Sequence, residues 1–447
     1  MALQYITVTK LFGELDHHIP IHSEAGLTLL HGANGVGKTS ILRAIDSLFN
    51  HRFSRLRSMP IQELEVGFTD GDILNIAWRT VDLEKTPEIS TQKRSLLFTF
   101  HPKVGEGDYW TFEGLTSREL DIPLSVIEDS VPNLTRIGRT EWFDTSVNRT
   151  LDFDDVLFSY SAHFPWITDR RITPNWLTEK LAQNPVYLIE ANRLMVAGEV
   201  SARARKVNFP QTAVSLYKDD LAVKIRGALA DYADYSQSLD STFPDRLLSE
   251  RRDTPAVTDE EVRRRYTEQA NRRRNYVKIG LLDAGDALLL PENLDERALE
   301  VLGTYLDDID RKLDKLEDMA DRLELFLSIV NQKFRRVQIE VGKEKRIIAR
   351  ARKSGLEVDL ESLSSGEQQE IVIAYGLLFR EQAGTLVLVD EPELSLHVSW
   401  QLDFIPDLLK IAQVAKLDFL AATHSPQIVN DRWDLTVGLL DGVQPNA

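Results

Sequence analysis

Cysteine is absent from this chain of 447 residues. That excludes disulfide scaffolds, thiolate zinc sites, iron–sulfur clusters and cysteine nucleophiles together, so any catalysis must use carboxylates, histidine, hydroxyls or a bound metal. Long apolar runs are missing too: no stretch approaches the roughly 18 residues of a membrane-spanning helix. The opening MALQYITVTKLF has neither the basic start nor the apolar core of a secretion signal, and alternates as a strand does. We therefore expect a cytoplasmic protein without membrane contact. What is present, 43% hydrophobic and 28% charged residues, describes a globular chain long enough for two or three cores. The formal net charge of −17 disfavours indiscriminate adhesion to nucleic acid, although an acidic chain can carry a local basic groove.

Residues 1 to about 50 read strand, strand, glycine-rich loop, helix: Leu27 to Leu30 lead into HGANGVGKTS, and Ile41, Leu42, Ile45 and Leu48 follow at helical spacing. Between about 55 and 165, runs such as LEVGF, ILNIAW and SLLFTF, broken by Gly, Pro and Asp, predict antiparallel strands. VYLIEA (186–191) returns to the core; Arg193 behind it is either a nucleotide neighbour or an ordinary surface arginine. Further on, Leu299, Leu306, Leu313, Ala320 and Leu327 recur every seven residues, each followed three positions later by Leu302, Ile309, Leu316, Leu323 or Val330. That is the seam of a coiled coil, a leg roughly 50 Å long. Its partner is an earlier helix, within 212–240 or 255–280, or else another molecule. KFRRVQIEV and KRIIARA then read as two strands around a turn. The expected division is 1–195, 196–335 as a helical coiled-coil insertion, and 336–447.

Three motifs carry chemistry. Gly32-Ala33-Asn34-Gly35-Val36-Gly37-Lys38-Thr39 matches GxxxxGK(S/T), in which backbone N–H groups curl around phosphates, the lysine reaches the terminal phosphates and the hydroxyl ligates Mg²⁺. LVLV followed by Asp390, Glu391, Pro392 and Glu393 puts acids at the carboxyl end of a buried strand, where ligands gather in an open parallel sheet. Asp390 is placed to hold Mg²⁺ and Glu391 to act as general base. Leu363-Ser364-Ser365-Gly366-Glu367-Gln368 opens a helix and either exposes backbone donors to an anion or is a plain N-cap, with Glu367 completing a capping box.

With Thr423-His424-Ser425 after the strand LDFLAA, these segments resemble the ABC-type ATPases: phosphate loop, LSGGQ-like signature, Walker B strand with glutamate, and switch histidine, in that order. The resemblance covers about 1–50 and 335–440. It implies an α/β P-loop head with an antiparallel β lobe, and ATP and Mg²⁺ as ligands. It further implies nucleotide contacts from Asn34, Gly35, Gly37, Lys38, Thr39 and Ser40, a metal site at Thr39 and Asp390, and catalytic roles for Glu391 and His424. Ser364, Ser365, Gly366 and Glu367 would bind ATP across a dimer interface, so a homodimer or higher oligomer is implied. Ser395-Leu396-His397 departs from the usual SLD and is similar to the OLD and RecF-related branch; no Q-loop glutamine can be placed, which leaves the coupling between lobes open.

The heptad insertion resembles SMC, RecF and OLD proteins rather than transporter ATPases. No room for a Toprim nuclease domain is expected before Ala447. The chain is most similar to ATPase subunits of two-component anti-phage systems, that of PARIS foremost, with Septu-type and retron-associated ATPases as competitors. That implies a separate effector protein, a nuclease, and a phage-encoded trigger. The alternative is a RecF-like DNA-clamping ATPase. Arg263-Arg264-Arg265 and Arg272-Arg273-Arg274 are its best clue, but nine residues of helix set the triplets on opposite sides, among Asp259, Glu260, Glu261 and Glu268. They read as a solvated or subunit-contacting helix. His17, His18 and His22 read as loop residues, and Trp142, Trp166 and Trp176 as packing rather than base stacking.

Overall fold

The computed structural model describes residues 3–82, 92–114, 127, 130–131, 134–138, 141–144, 149–153, 156, 160, 173–189, 213–249, 258–285, 290–291, 293–394 and 398–439. The chain divides into two compact units, Met1–Arg193 with Gln382–Ala447, and Leu194–Glu381.

The first unit opens with β1 (Leu3–Leu11), β2 (Leu15–Pro20), β3 (Leu27–His31), α1 (Lys38–Phe49) and α2 (Phe53–Ser58). Next come β4 (Glu63–Phe68), β5 (Ile73–Asp82), β6 (Gln92–His101), β7 (Asp108–Phe112), β8 (Leu134–Arg136), β9 (Glu141–Asp144), β10 (Arg149–Asp152), α3 (Asn175–Ala182) and β11 (Val186–Ile189). A six-stranded antiparallel sheet runs β2-β1-β4-β5-β6-β7, so LEVGF, ILNIAW and SLLFTF are strands as read. Phe53 of α2 fixes the helix to that sheet by edge-on contacts with Phe98, Trp110 and Phe112. β2 is a correction: His17 and His18 lie on a strand, not in a loop. In LDHHIP the inward positions are Leu15, His17 and Ile19, so the period of two shows only if a histidine is counted as apolar. Trp142 is fully buried and Trp176 stacks on Phe100, as packing requires; Trp166 lies outside the described residues.

The second unit contains α4 (Ala213–Ser249), α5 (Asp259–Lys278), α6 (Glu296–Lys333), β12 (Val337–Val341), β13 (Ile347–Ala351), β14 (Glu357–Val358) and α7 (Ser365–Tyr375), which continues into one π-helical turn, Gly376–Arg380. α6 is a single helix of 38 residues, about 57 Å long. Along the heptad seam Leu306, Leu313, Leu316, Ala320, Leu323 and Val330 are buried. The seam is covered within the chain, by α4 and α5 both. Phe326 and Ile329 are buried as well, because a helix with two neighbours needs a wider apolar stripe than a two-stranded seam. Ion pairs line the joint: Arg246 to Asp308 and Lys312 to Asp240 from α4, Arg265 to Asp307 and Asp310 from α5.

The chain then returns to the first unit through β15 (Leu386–Asp390), α8 (Val398–Ala415), β16 (Asp418–Thr423), the single turn α9 (Pro426–Val429) and β17 (Thr436–Gly438). These complete a parallel sheet of order β11-β15-β16-β3-β17, whose strands come from both ends of the sequence. Such strands are covered on both faces and so read as unbroken apolar runs; β15 and β16 are buried almost throughout. α1 packs on β11, β15 and β16 through Ile41, Leu42, Ile45 and Leu48, each fully buried. Burying each such side chain contributes about 1.5–3 kcal/mol.

Candidate functional site

Register across the parallel sheet brings three motif segments to one level. Asp390 lies opposite Ala422, and Thr423 opposite His31, so the ends of β15, β16 and β3 coincide. The loop leaving β3 turns back through Gly35 and Gly37, at φ of 90° and 93°. Gly37 is also the N-cap of α1; at its positive φ a side chain is strained, and a Cβ there would lie 2.2 Å from Leu11 Cδ2 and force that side chain to move. A helix beginning this way leaves the N–H groups of Lys38, Thr39 and Ser40 without intrahelical partners, a cradle for an anion.

Lys38 is only 4% exposed. Its Nζ donates to the Gly32 carbonyl at 2.7 Å and the Ala33 carbonyl at 2.9 Å, and reaches His424 Nδ1 at 3.2 Å. An ammonium only donates, so Nδ1 is the acceptor in this contact. Nε2 faces Glu391 Oε1 at 3.6 Å, too long for a hydrogen bond but close enough to orient both groups. Burial pulls the Lys38 ammonium below its ordinary range, while Glu391, Glu393 and Asp390 pull it back up. Thr39 Oγ1 donates to Asp390 Oδ1 at 2.9 Å. A hydroxyl and a carboxylate oxygen so close make a hard, oxygen-only donor pair that suits Mg²⁺. Glu391 sits at φ 46°, its N–H bonded to the Ala422 carbonyl at 2.9 Å.

Sequence reasoning missed two residues here. His17 is 4% exposed and bonds through Nε2 to the Val36 carbonyl at 2.9 Å, holding the phosphate loop from β2. Glu393 accepts from Thr423 Oγ1 and from the His424 N–H. Its only visible signal was its place two residues after Glu391.

The signature segment belongs to the second unit. Ser364 caps α7 and Glu367 answers it: Ser364 N–H and Oγ donate to Glu367 Oε2 at 3.0 and 2.7 Å. The capping box is therefore formed, with Ser364 and Ser365 exposed and Gly366 half-buried at the helix start. Ser395, Leu396, His397 and Arg193 lie outside the described residues. Of the arginine triplets, Arg265 and Arg272 both turn to α6, pairing with Asp307, Asp310 and Asp314. Corresponding members are opposed, but these two are seven residues apart and share a face. Arg263 and Arg264 pair along their own helix with Asp259, Glu261 and Glu268.

A family described as "AAA domain, putative AbiEii toxin, Type IV TA system" matches residues 215–430, a little under half of the chain. The match takes in the signature, Asp390, Glu391 and His424. The fold around these residues is mixed α/β, with a glycine-rich loop joining a parallel strand to α1. Among solved structures, the chain is similar to an Smc head domain with an extended coiled coil, bound to the C-terminal domain of ScpA, from Pyrococcus furiosus (14% identity, 99% of this chain and 94% of that one, TM-score 0.33). It is also similar to an SmcHead bound to the C-winged helix domain of ScpA (13%, 99% and 96%, 0.34) and to the SMC head domain from Thermotoga maritima (12%, 99% and 97%, 0.32). Likenesses this distant say nothing about function. No curated protein matches the chain. Among the described residues no helix is long and apolar enough to cross a membrane.

Proposed function

We propose that the chain is an ATP-binding and ATP-hydrolysing switch of an anti-phage, abortive-infection type system. The observation that carries the ATPase reading is the meeting of Lys38, Thr39, Asp390, Glu391 and His424 at one edge of the parallel sheet. ATP is the substrate. Lys38 exchanges its loop carbonyls for the terminal phosphates, while Asn34, Gly35, Gly37 and Ser40 surround them with backbone donors. Mg²⁺ held by Thr39 and Asp390 supplies charge neutralisation when bound. Glu391 takes the proton of the attacking water at a carboxylate oxygen, and His424, between Lys38 and Glu391, registers the γ-phosphate.

Ser364, Ser365, Gly366 and Glu367 belong, in this reading, to the site of a second copy, so the working form is a homodimer or a larger assembly. In this reading 1–195 and 336–447 carry the nucleotide motifs, and 196–335 is a helical insertion between them in sequence. The description of the matching family, naming a toxin and a type IV toxin–antitoxin system, supports the defence setting. ATP closure holds a separate effector, a Toprim-type nuclease as in PARIS, until a phage-encoded trigger alters the assembly in the cytoplasm.

A RecF-like DNA clamp is the competing reading. Carboxylate partners for Arg263, Arg264, Arg265 and Arg272 weigh against it at the best basic segment. One experiment separates the two: ATP turnover and size of the purified chain with and without nucleotide, together with duplex DNA binding at two salt concentrations. Nucleotide-dependent assembly without salt-sensitive DNA affinity, and co-purification of a nuclease encoded alongside, is the expected result. Tight, strongly salt-dependent duplex binding decides for the clamp, and absence of nucleotide binding overturns both.

A further inference from the structure

Glu393 lies in the 3-10 turn Pro392–Leu394, directly after the acids at the end of β15. Both its carboxylate oxygens are spent on the end of the neighbouring strand β16. Oε2 accepts from Thr423 Oγ1 at 3.0 Å, and Oε1 accepts from the His424 N–H at 2.7 Å. Two charge-assisted bonds, one to a side chain and one to the next backbone amide, leave residues 423 and 424 a single arrangement.

The surroundings fix this clamp in turn. Thr423 is fully buried, and its Oγ1 accepts from the Ser425 N–H at 3.0 Å. Gln401 of α8, 8% exposed, donates from Nε2 to the Glu393 carbonyl at 3.4 Å and accepts at Oε1 from Ser425 Oγ at 3.3 Å. One amide thus grips the turn that bears Glu393 and the segment that bears His424. Beside it, the Glu391 N–H is tied to the Ala422 carbonyl. The ends of β15 and β16 are stitched twice, by backbone at Glu391 and by side chain at Glu393.

From this geometry we infer that Glu393 is a positioning residue for hydrolysis, placing His424 between Lys38 and Glu391; the inference rests on the ATPase reading above. His424 has no such constraint of its own, since its ring contacts at 3.2 Å to Lys38 and 3.6 Å to Glu391 are both with groups that rearrange around a phosphate. A misplacement of about 1 Å at such a ring is enough to slow chemistry about 100-fold without touching ground-state binding. Spacing explains the motif: with one residue between them, general base and positioning carboxylate share one turn, and each reaches β16 separately.

The test uses the full chain and four variants, Glu393→Ala, Glu393→Gln, Thr423→Val and the double Glu393→Ala/Thr423→Val. Glu393→Ala should lower kcat about 10–100-fold, by analogy with outer-shell partners of reactive groups, with KM for ATP within about 3-fold of wild type. Thr423→Val, which alters no charge, should lower kcat in the same direction by less. Because both act through the same bonds, the double variant should be no worse than Glu393→Ala alone. Glu393→Gln keeps one acceptor oxygen and should recover part of the loss. A kcat for Glu393→Ala at the wild-type rate overturns the inference. So does an additive double variant whose KM and melting temperature fall along with kcat, the mark of a merely structural role. Histidine-labelled NMR reads placement independently of turnover: the ring signals of His424, assigned by their loss in His424→Ala, should move in Glu393→Ala. A wild-type chain that turns over no ATP overturns the ATPase reading alone if those signals move, and unmoved signals overturn the inference about Glu393 in either case.

Discussion

Thr39 Oγ1 donates to Asp390 Oδ1 at 2.9 Å across 351 residues of sequence. The first turn of α1 and the end of β15 supply the pair, and the bond ties the N-terminal and C-terminal segments of the first unit together. Asp390→Ala removes the carboxylate and leaves one oxygen donor. The expected outcome is a loss of magnesium dependence in nucleotide binding, measured as ATP affinity with and without the ion. Equal magnesium dependence in the variant and wild type would remove Asp390 from the metal site.

Lys38 is a buried cation at the edge of the sheet, and its ammonium is already held below its ordinary range by burial. Lys38→Ala should weaken ATP binding by about 10–100-fold, the 1.4–3 kcal/mol expected of a charge-assisted contact to phosphate. Equilibrium binding of a fluorescent ATP analogue measures it, and unchanged affinity counts against the phosphate-loop assignment.

Glu391→Gln keeps size and polarity but cannot accept the proton of water. Binding should persist while hydrolysis slows about 10²–10⁴-fold, the usual worth of a general base. Closed assemblies should accumulate with ATP, read by size-exclusion chromatography. Normal turnover excludes Glu391 as the base.

Shared sites predict complementation. Ser365→Arg should abolish hydrolysis by crowding the start of α7, and Lys38→Ala should abolish it at the phosphate loop. Mixing the two should restore about a quarter to a half of the sites, if every active site draws on two chains. No recovery on mixing, with both variants folded, argues for sites complete within one chain.

His17 gives a pH dependence of stability. Burial pushes its imidazole below the ordinary histidine range, opposed by the Val36 carbonyl bond and by Asp16. The folded chain therefore keeps His17 neutral where the unfolded chain takes up a proton. Stability is full above the ordinary histidine value and is lost as pH falls below it towards the depressed folded value. Melting temperatures between about pH 8 and pH 5 should fall less steeply in His17→Gln than in wild type.

Lys333 and Glu370 form an ion pair with side chains 4% and 7% exposed, joining the end of α6 to α7. Lys333→Ala takes the ammonium from a buried carboxylate and should cost about 3–5 kcal/mol, whereas Lys333→Met with Glu370→Leu should restore most of it. Urea midpoints of the single and double variants check this.

Much of the first unit was legible in the sequence. Apolar runs ending in Asp390 and Thr423, and the glycine pattern before Lys38, announce buried parallel strands and a tight glycine-rich turn into a helix because each is a local requirement: buried strands need unbroken apolar residues, and Gly37 takes a φ of 93°. The heptads of α6 announce a buried stripe by the same logic. Strand β2 was not legible, because a buried histidine carries no apolar signature.

Residue order and periodicity therefore determined which segments are strands, which loop can cradle a phosphate, and which helix needs a cover. Only the tertiary structure decided that α4 and α5 both cover α6, that Arg265 and Arg272 are spent on its carboxylates, and that Glu393 holds His424. The physical reason is range. Backbone conformation and burial pattern are set by neighbours in sequence, whereas a hydrogen bond or ion pair depends on where two distant segments come to rest, which no local pattern records.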